Sequence, residues 1–348
     1  MSRYIGLEDH SYDHAADAPR AALLLVNLGT PVAPTAAAVR EYLAEFLADP
    51  RVVELPRSLW WLILHGFVLR VRPRRSAEAY AKIWSNAGSP LAVNSAQLAD
   101  AVQAEIIRNA TAPVTVALAM RYGVPSIMQT IVDLQKEGVR RLLLLPLYPQ
   151  YSGAATGAAL DALAETIKCL RWPPEIRVVN DYHDDAGYLA ALAASVTAHW
   201  AQHGRAQKLL LSFHGLPERY VREGDPYFEQ CQTTARRLRE ALGLGDDDMI
   251  VAFQSRVGAQ AWLKPYTDEV IGALPRQGVK DLDVLCPGFA VDCLETLEEI
   301  ALRYRADFLT HGGERFHYIP ALNASAAHTS ALVQLALKQM QGWVSQRV

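Results

Sequence analysis

One stretch of this chain occurs twice. Leu23-Leu-Leu-Val-Asn-Leu-Gly-Thr-Pro31 and Leu209-Leu-Leu-Ser-Phe-His-Gly-Leu-Pro217 agree at five of nine positions, at an offset of 186 residues. Each begins as a continuous apolar run and is then broken by a glycine and a proline. A run apolar at successive positions has no wet face. It reads as a strand covered on both sides, the habit of parallel sheets flanked by helices. Two unrelated parallel sheets would also have similar first strands, but the shared Gly-x-Pro favours a duplication.

The rest of the chain obeys the same alternation. Strand-like runs lie at Ala21–Leu28, Val114–Met120, Leu142–Leu147, Ile176–Asn180, Lys208–Phe213, Met249–Gln254 and Asp281–Leu285. Between them the pattern predicts helices over Thr35–Leu47, Ile127–Glu137, Ala158–Leu170, Tyr188–His203, Asp225–Leu242, Ala261–Leu274 and Asp292–Arg303. Strands separated by helices imply parallel sheets with right-handed crossovers. The expected fold is α/β, with two doubly wound domains opening their strand ends toward a shared cleft. A flexible arm over 1–20 precedes domains at 21–183 and 184–325. A last helix, within 326–348, is expected to pack back on the first domain.

A length of 348 residues suits about two domains, and 51% hydrophobic against 20% charged residues allows each a core. The net charge of −3 argues against nucleic-acid partners, which want a basic face. The first twenty residues carry Glu8, Asp9, Asp13 and Asp17 and no apolar stretch of the signal-peptide kind. His10 and His14 there read as part of a frayed polar arm. No run reaches the ~18 apolar residues of a membrane-spanning helix. A cytoplasmic protein is expected. Cys169, Cys231, Cys286 and Cys293 lack CxxC spacing and read as reduced thiols.

In open α/β sheets ligands sit outside the carboxyl ends of the strands. His214 stands at such an end, usable as a base or metal ligand near neutrality. The strand ending near Leu285 leads to Asp292-Cys-Leu-Glu295, which matches a capping box with Asp292 as N-cap and Glu295 as N3. Glu299 follows four residues on, on the same helix face as Glu295. Two stacked carboxylates suit a path for cations or protons, with Glu298 in solvent and Arg303 as a neutralising neighbour. Residues 58–75 join Trp60, Trp61 and Phe67 to Arg70, Arg72, Arg74 and Arg75. They read either as a buried core helix with a basic exit or as an apolar lip over a flat acidic ligand or a lipid surface. Leu28, Arg121, Tyr122, Tyr148, Tyr151 and Ser152 fall on the same strand-end edge. Gly153 and Gly157 flank a loop that can hold a carboxylate on its N–H groups. No GxGxxG or GxxxxGK[ST] fingerprint is present, which disfavours a dinucleotide oxidoreductase. The cleft so assembled is apolar and aromatic, with one histidine and two acids.

Seven motifs in order extend this reading: Val-Asn-Leu-Gly-Thr-Pro (26–31), Gly-Ser-Pro-Leu (88–91), Met-Arg-Tyr-Gly (120–123), Leu-Pro-Leu-Tyr-Pro-Gln-Tyr-Ser (145–152), Ser-Phe-His-Gly-Leu-Pro (212–217), Phe-Gln-Ser-Arg (253–256) and Cys-Pro-Gly-Phe-Ala-Val-Asp-Cys-Leu-Glu-Thr-Leu-Glu-Glu (286–299). Together they resemble the ferrochelatase family, nearest its proteobacterial type, from about residue 20 to about 325. The resemblance implies two Rossmann-like domains with parallel four-stranded sheets and a porphyrin between them. It implies insertion of Fe²⁺ into protoporphyrin IX to give protohaem. The family's active-site histidine falls on His214 and its paired glutamate on Glu295, a pair shared between catalysis and metal binding. The acidic line continues at Glu299, but its third position is Arg303 here. Porphyrin contacts are expected from Leu28, Trp60, Arg121, Tyr122, Tyr148, Tyr151 and Ser152. Leu28, where coproporphyrin-using relatives carry tyrosine, favours protoporphyrin as substrate. No tightly bound cofactor and no [2Fe–2S] cluster are expected, since no cysteine follows Pro320. A monomer or weak dimer with peripheral membrane contact through 58–75 is compatible with this. A carrier of tetrapyrrole or metal without catalysis, or a coproporphyrin-type enzyme, is the alternative.

Overall fold

The computed structural model describes residues 4–6, 19–258 and 260–347. The His10/His14 pair lies outside them. Of the first residues, Ile5 is tied to the main body by backbone bonds to Cys169 and Arg171.

Two parallel sheets organise the chain. The first comprises β1 (Arg20–Asn27), β2 (Val114–Met120), β3 (Val139–Pro146) and β4 (Glu175–Val178), in the order β2-β1-β3-β4. The second comprises β5 (Lys208–His214), β6 (Met249–Gln254), β7 (Asp281–Leu285) and β8 (Arg315–Ile319), in the order β6-β5-β7-β8. The two orders are the same, and the repeated sequences are the central strands β1 and β5. All pairings are parallel.

Alternate side chains explain how the sheets are covered. Leu23 and Leu25 of β1 and Leu209, Leu211 and Phe213 of β5 enter one core with the helices Pro90–Asn109, Ala186–His203, Tyr227–Leu242 and Ala326–Gln339. Leu24 and Val26 face a second core under Ile127–Lys136 and Ala158–Cys169. Leu210, Leu282 and Val284 face a third, with Ile300, Tyr304 and Phe308. The last helix packs on Pro90–Asn109 of the first half and on Ala186–His203, and the tail after it bonds to Asn109 and Thr111.

The repeated glycine has a steric cause in both copies. A Cβ on Gly29 would lie 1.8 Å from the carbonyl oxygen of Tyr122, and φ there is +107°. A Cβ on Gly215 would lie 2.7 Å from the carbonyl oxygen of Gln254. In each half the central strand leaves its sheet by pressing its backbone onto the neighbouring strand's exit, where only glycine fits.

Several elements depart from the sequence reading, the unanticipated helix Pro90–Asn109 among them. The helix expected over Ala261–Leu274 forms only at Thr267–Ala273. Pro265 removes an N–H and drives Lys264 out of the helical region, while Leu263 N–H instead bonds to the Leu216 carbonyl. Strand β8 is unanticipated because its sequence, Arg-Phe-His-Tyr-Ile, is half polar, as an edge strand can be. The run Arg57–Ile83 is helical throughout and divides by face: Leu64, Leu69, Ala77 and Tyr80 are buried in a core with Val39 and Leu43, while Trp61, Leu62 and Phe67 are 59–66% exposed.

Candidate functional site

His214 is the last residue of β5, half-buried, with its partner in register being Gln254. Its Nδ1 lies 2.7 Å from the Gly215 carbonyl, an acceptor only. Nδ1 therefore carries the hydrogen, and Nε2 keeps a lone pair for a proton or a metal. The Tyr227 hydroxyl donates to the His214 carbonyl at 3.0 Å and fixes the strand end.

Gln254, 1% exposed, ties this strand end to the acidic helix. Its Oε1 accepts from Ser212 Oγ at 2.8 Å. Its Nε2 donates to the Glu295 carbonyl at 2.9 Å and to Glu299 Oε2 at 3.4 Å. It falls in the motif Phe-Gln-Ser-Arg (253–256), but no sequence rule gives it a role, because a polar residue ending a strand is ordinary.

The helix over Glu295–Tyr304 is a wide one with i→i+5 bonding, a rare form frequently found at functional sites. More residues per turn means that successive side chains diverge less. Glu298 and Glu299 are both buried as a result, so Glu298 is not in solvent as expected. It pairs with Lys82 Nζ at 2.9 Å and Arg303 Nε at 3.7 Å. Glu299 takes a bond from Tyr304 at 2.8 Å and from Ser255 through both N–H and hydroxyl, with Arg303 Nη2 at 3.0 Å. Ser255 holds φ at +65° to deliver both donors, a strained non-glycine position beside the site. Burial, with the Glu299 charge beside it, pushes the Tyr304 phenol well up.

The capping box is not formed. Asp292 Oδ1 accepts from Thr296 and Tyr318, and Oδ2 from Asn323 Nδ2 at 2.8 Å. Asp292 thus pins the entry of the helix to the loop after β8, and Glu295 is free of a capping duty. Glu295 borders a small cavity with Leu28, Tyr42, Tyr80, Leu91 and Cys293. Burial raises the Tyr42 and Tyr80 phenols, and the Glu295 charge adds to the effect. Burial lowers Arg72, while the same charge opposes that shift. Glu295 therefore looks across from the second half at the first.

The first-half candidates divide. Leu28 lines the cavity. Tyr148 is half-buried, and its buried hydroxyl has no hydrogen-bond partner among the described residues. Tyr151 is half-buried, its N–H bonded to Gln230 at 2.6 Å. Trp60 is half-buried but spends its indole N–H on the Leu47 carbonyl. Arg121 is paired with buried Asp49 and donates to the Ala158 carbonyl, so it presents no free cation. Tyr122 is fully buried, with its hydroxyl on Asp49 at 2.9 Å. Ser152 is buried and caps the wide turn Gly153–Gly157. That loop does hold a carboxylate: Gly153 N–H bonds to the chain's own Asp225 at 2.7 Å. Sequence reasoning missed Asp49, Lys82 and Gln254, whose side-chain partners lie 32 or more positions away. The four cysteines are unpaired, and burial raises the thiols of Cys231, Cys286 and Cys293.

Two sheets of the same strand order, with a histidine at one strand end and a glutamate-bearing helix beside it, define the class. The fold is that of the chelatases. SirB from Bacillus subtilis, solved with Fe³⁺, superposes with a TM-score of 0.56 at 12% identity, covering 93% of this chain and 96% of that one. DR2241 from Deinococcus radiodurans, a multi-domain protein with structural similarity to chelatases, gives 0.55 at 12% identity, over 95% of this chain and 58% of that one. Within that class the sequence is decisive: the chain belongs to the ferrochelatase family, whose profile matches residues 20–340. A ferrochelatase of Marinobacter nauticus is 51% identical over 98% of this chain and 91% of its own length. One of Thioalkalivibrio sulfidiphilus is 54% identical over 92% and 87%.

Proposed function

We propose that this protein is a working ferrochelatase: it inserts Fe²⁺ into protoporphyrin IX and releases two protons, giving protohaem. The observation that carries the site assignment is the fixed tautomer of His214, whose Nε2 lone pair is left over at the strand end, joined through Gln254 to Glu295 and Glu299.

Metal insertion has two barriers. The pyrrole N–H protons must leave, and a flat ring shields its nitrogen lone pairs. A rigid apolar cleft that holds the ring bent lowers the second, at a strain of ~1–5 kcal/mol. His214 Nε2 and the Glu295 carboxylate act as a pair on the first, one accepting protons while the other presents Fe²⁺. Imidazole and carboxylate together suit a borderline divalent ion held weakly enough to be released. Glu299, four residues on and anchored by Ser255 and Tyr304, continues the path for protons or metal. Leu28 supports protoporphyrin as the substrate, since an apolar side chain lines that wall. Tyr148 and Tyr151 offer the aromatic contacts.

The test is anaerobic. Purified protein is mixed with protoporphyrin IX and Fe²⁺, and the porphyrin absorbance is followed, with His214→Ala and Glu295→Gln alongside. Wild type should form metalloporphyrin, while both variants should fold, bind porphyrin and lose turnover by about 10²-fold or more. Near-normal turnover in His214→Ala would sink the assignment. Binding without insertion by wild type would instead mean a carrier.

We also propose a monomer or weak dimer, cytoplasmic, that touches membranes through residues 58–75. No helix among the described residues is long and apolar enough to cross a membrane. The exposed Leu59, Trp61, Leu62 and Phe67 form an apolar strip next to arginines, which suits an anionic bilayer surface. Vesicles containing anionic lipid should capture wild type and release Trp61→Glu/Phe67→Glu. Equal capture of both would remove the membrane from the proposal.

A further inference from the structure

Asp283 is a carboxylate only 1% exposed, in the middle of β7. Its Oδ2 is satisfied, by Trp200 Nε1 at 2.8 Å and the Ala206 N–H at 3.3 Å. Its Oδ1 faces two imidazoles: His199 Nε2 is in hydrogen-bond contact at 3.3 Å and His317 Nδ1 stands 3.5 Å away. His317 Nδ1 is buried and makes no hydrogen bond among the described residues, which leaves it an orphaned donor or lone pair beside the same oxygen. His203, four residues after His199 and so on the same helix face, brings its ring to 4.6 Å from that of His199 and 5.1 Å from that of His317.

These spacings are those of a ligand set. Ligand atoms about 2.0–2.1 Å from a tetrahedral ion lie roughly 3.4 Å from one another. The ligating atoms of His199, Asp283 and His317 all fall within 4.8 Å of each other. The bonds to Asp283 Oδ2 are what a metal-binding carboxylate has in its outer shell, fixing the oxygen that faces the ion. Two nitrogens and a carboxylate favour a borderline transition-metal ion over Mg²⁺ or Ca²⁺, which prefer oxygen.

The cluster is separate from the cleft. Asp283 is in register with Leu209, five residues before His214, or roughly 16 Å along the strand. It also lies on the face of the sheet covered by Ala186–His203, while Leu282 and Val284 face the core shared with Ile300 and Tyr304.

We propose that His199, Asp283 and His317 bind a divalent transition-metal ion, with His203 turning in as the fourth ligand. The site is independent of the chelatase reading. To keep the cleft from competing, Co²⁺ is titrated anaerobically into the double variant His214→Ala/Glu295→Gln. One equivalent with the intense ligand-field absorption of a tetrahedral ion is expected. Adding His317→Ala should weaken binding beyond the ~10–100-fold typical of losing an outer-shell partner. Absence of binding in the double variant, or an affinity unmoved by His317→Ala, overturns the proposal. Should His317→Ala fail to fold, wild-type crystals soaked in Zn²⁺ decide. An anomalous peak bonded to Asp283 Oδ1 upholds the site, and its absence there overturns it. Chelatase turnover by His317→Ala should stay normal at saturating Fe²⁺, so failure of this site and failure of the chelatase reading are distinguishable.

Discussion

Replacing Gln254 by methionine keeps the length of the side chain and removes its amide. Four contacts go with it: the Ser212 and Cys286 donors at 2.8 and 3.6 Å, and the Glu295 and Glu299 acceptors at 2.9 and 3.4 Å. Ser212 retains Thr267 at 2.9 Å, and Glu299 retains Ser255, Tyr304 and Arg303. The Cys286 thiol is a weak donor. The uncompensated loss is therefore about one buried hydrogen bond to the backbone of Glu295, costing about 1–3 kcal/mol. The kinetic effect should be larger than that stability loss suggests. Gln254 is the shared support of His214's strand end and Glu295's helix, and a displacement of about 1 Å in a catalytic pair can cost 10²-fold. Urea denaturation should show the modest loss. Anaerobic metallation should show kcat down about 10²-fold, with porphyrin binding, read by fluorescence quenching, little changed. A variant that loses stability but metallates at the wild-type rate would refute the reasoning and leave Gln254 a packing residue.

Other expectations follow from the same contacts. Arg303→Glu places a third carboxylate beside Glu298 and Glu299, so its melting temperature should drop at low salt and recover partly in high salt; metallation should persist, because the proposed relay uses two acids, and its abolition would show Arg303 to be required. His328 is fully buried, and desolvation holds its pKa down to about 4, against about 6.5 when unfolded. Its neutral form is the native one, so its contribution is complete above pH 6.5. It fades as pH falls toward 4, by about 3 kcal/mol in all. Urea midpoints measured from pH 7 to pH 4 should fall more steeply for wild type than for His328→Gln, and equal slopes would contradict the assignment.

How much of this was legible in the sequence varies with the range of the interaction. Strands β2, β6 and β7 match the expected runs residue for residue, because a largely apolar stretch is a local signal. His214 is legible for the same reason: it ends such a run. The widened helix is not, since i→i+5 bonding leaves no mark on apolar spacing that distinguishes it from an ordinary turn. Glu298 looked like solvent because its partner Lys82 lies 216 positions away. Arg121 and Tyr122 looked like ligand contacts because Asp49, which claims both, lies 72 and 73 positions earlier. Asp292 and Glu295 matched a local capping rule that a longer-range demand overrode, as Tyr318 and Asn323 took the carboxylate.

The shared strand order and the paired glycines have a further consequence. Leu28 and His214 occupy the same position of the repeat, each just before the glycine that lets its strand leave the sheet. The repeat supplies two equivalent strand ends, and this chain has made them chemically unequal: one ends in hydrocarbon, the other in an imidazole. A flat molecule lying between the halves would meet a reactive wall on one side and a greasy one on the other. On the proposed function, near-symmetry in the scaffold would give a handed reaction path, with the traffic of protons and metal on the face of His214.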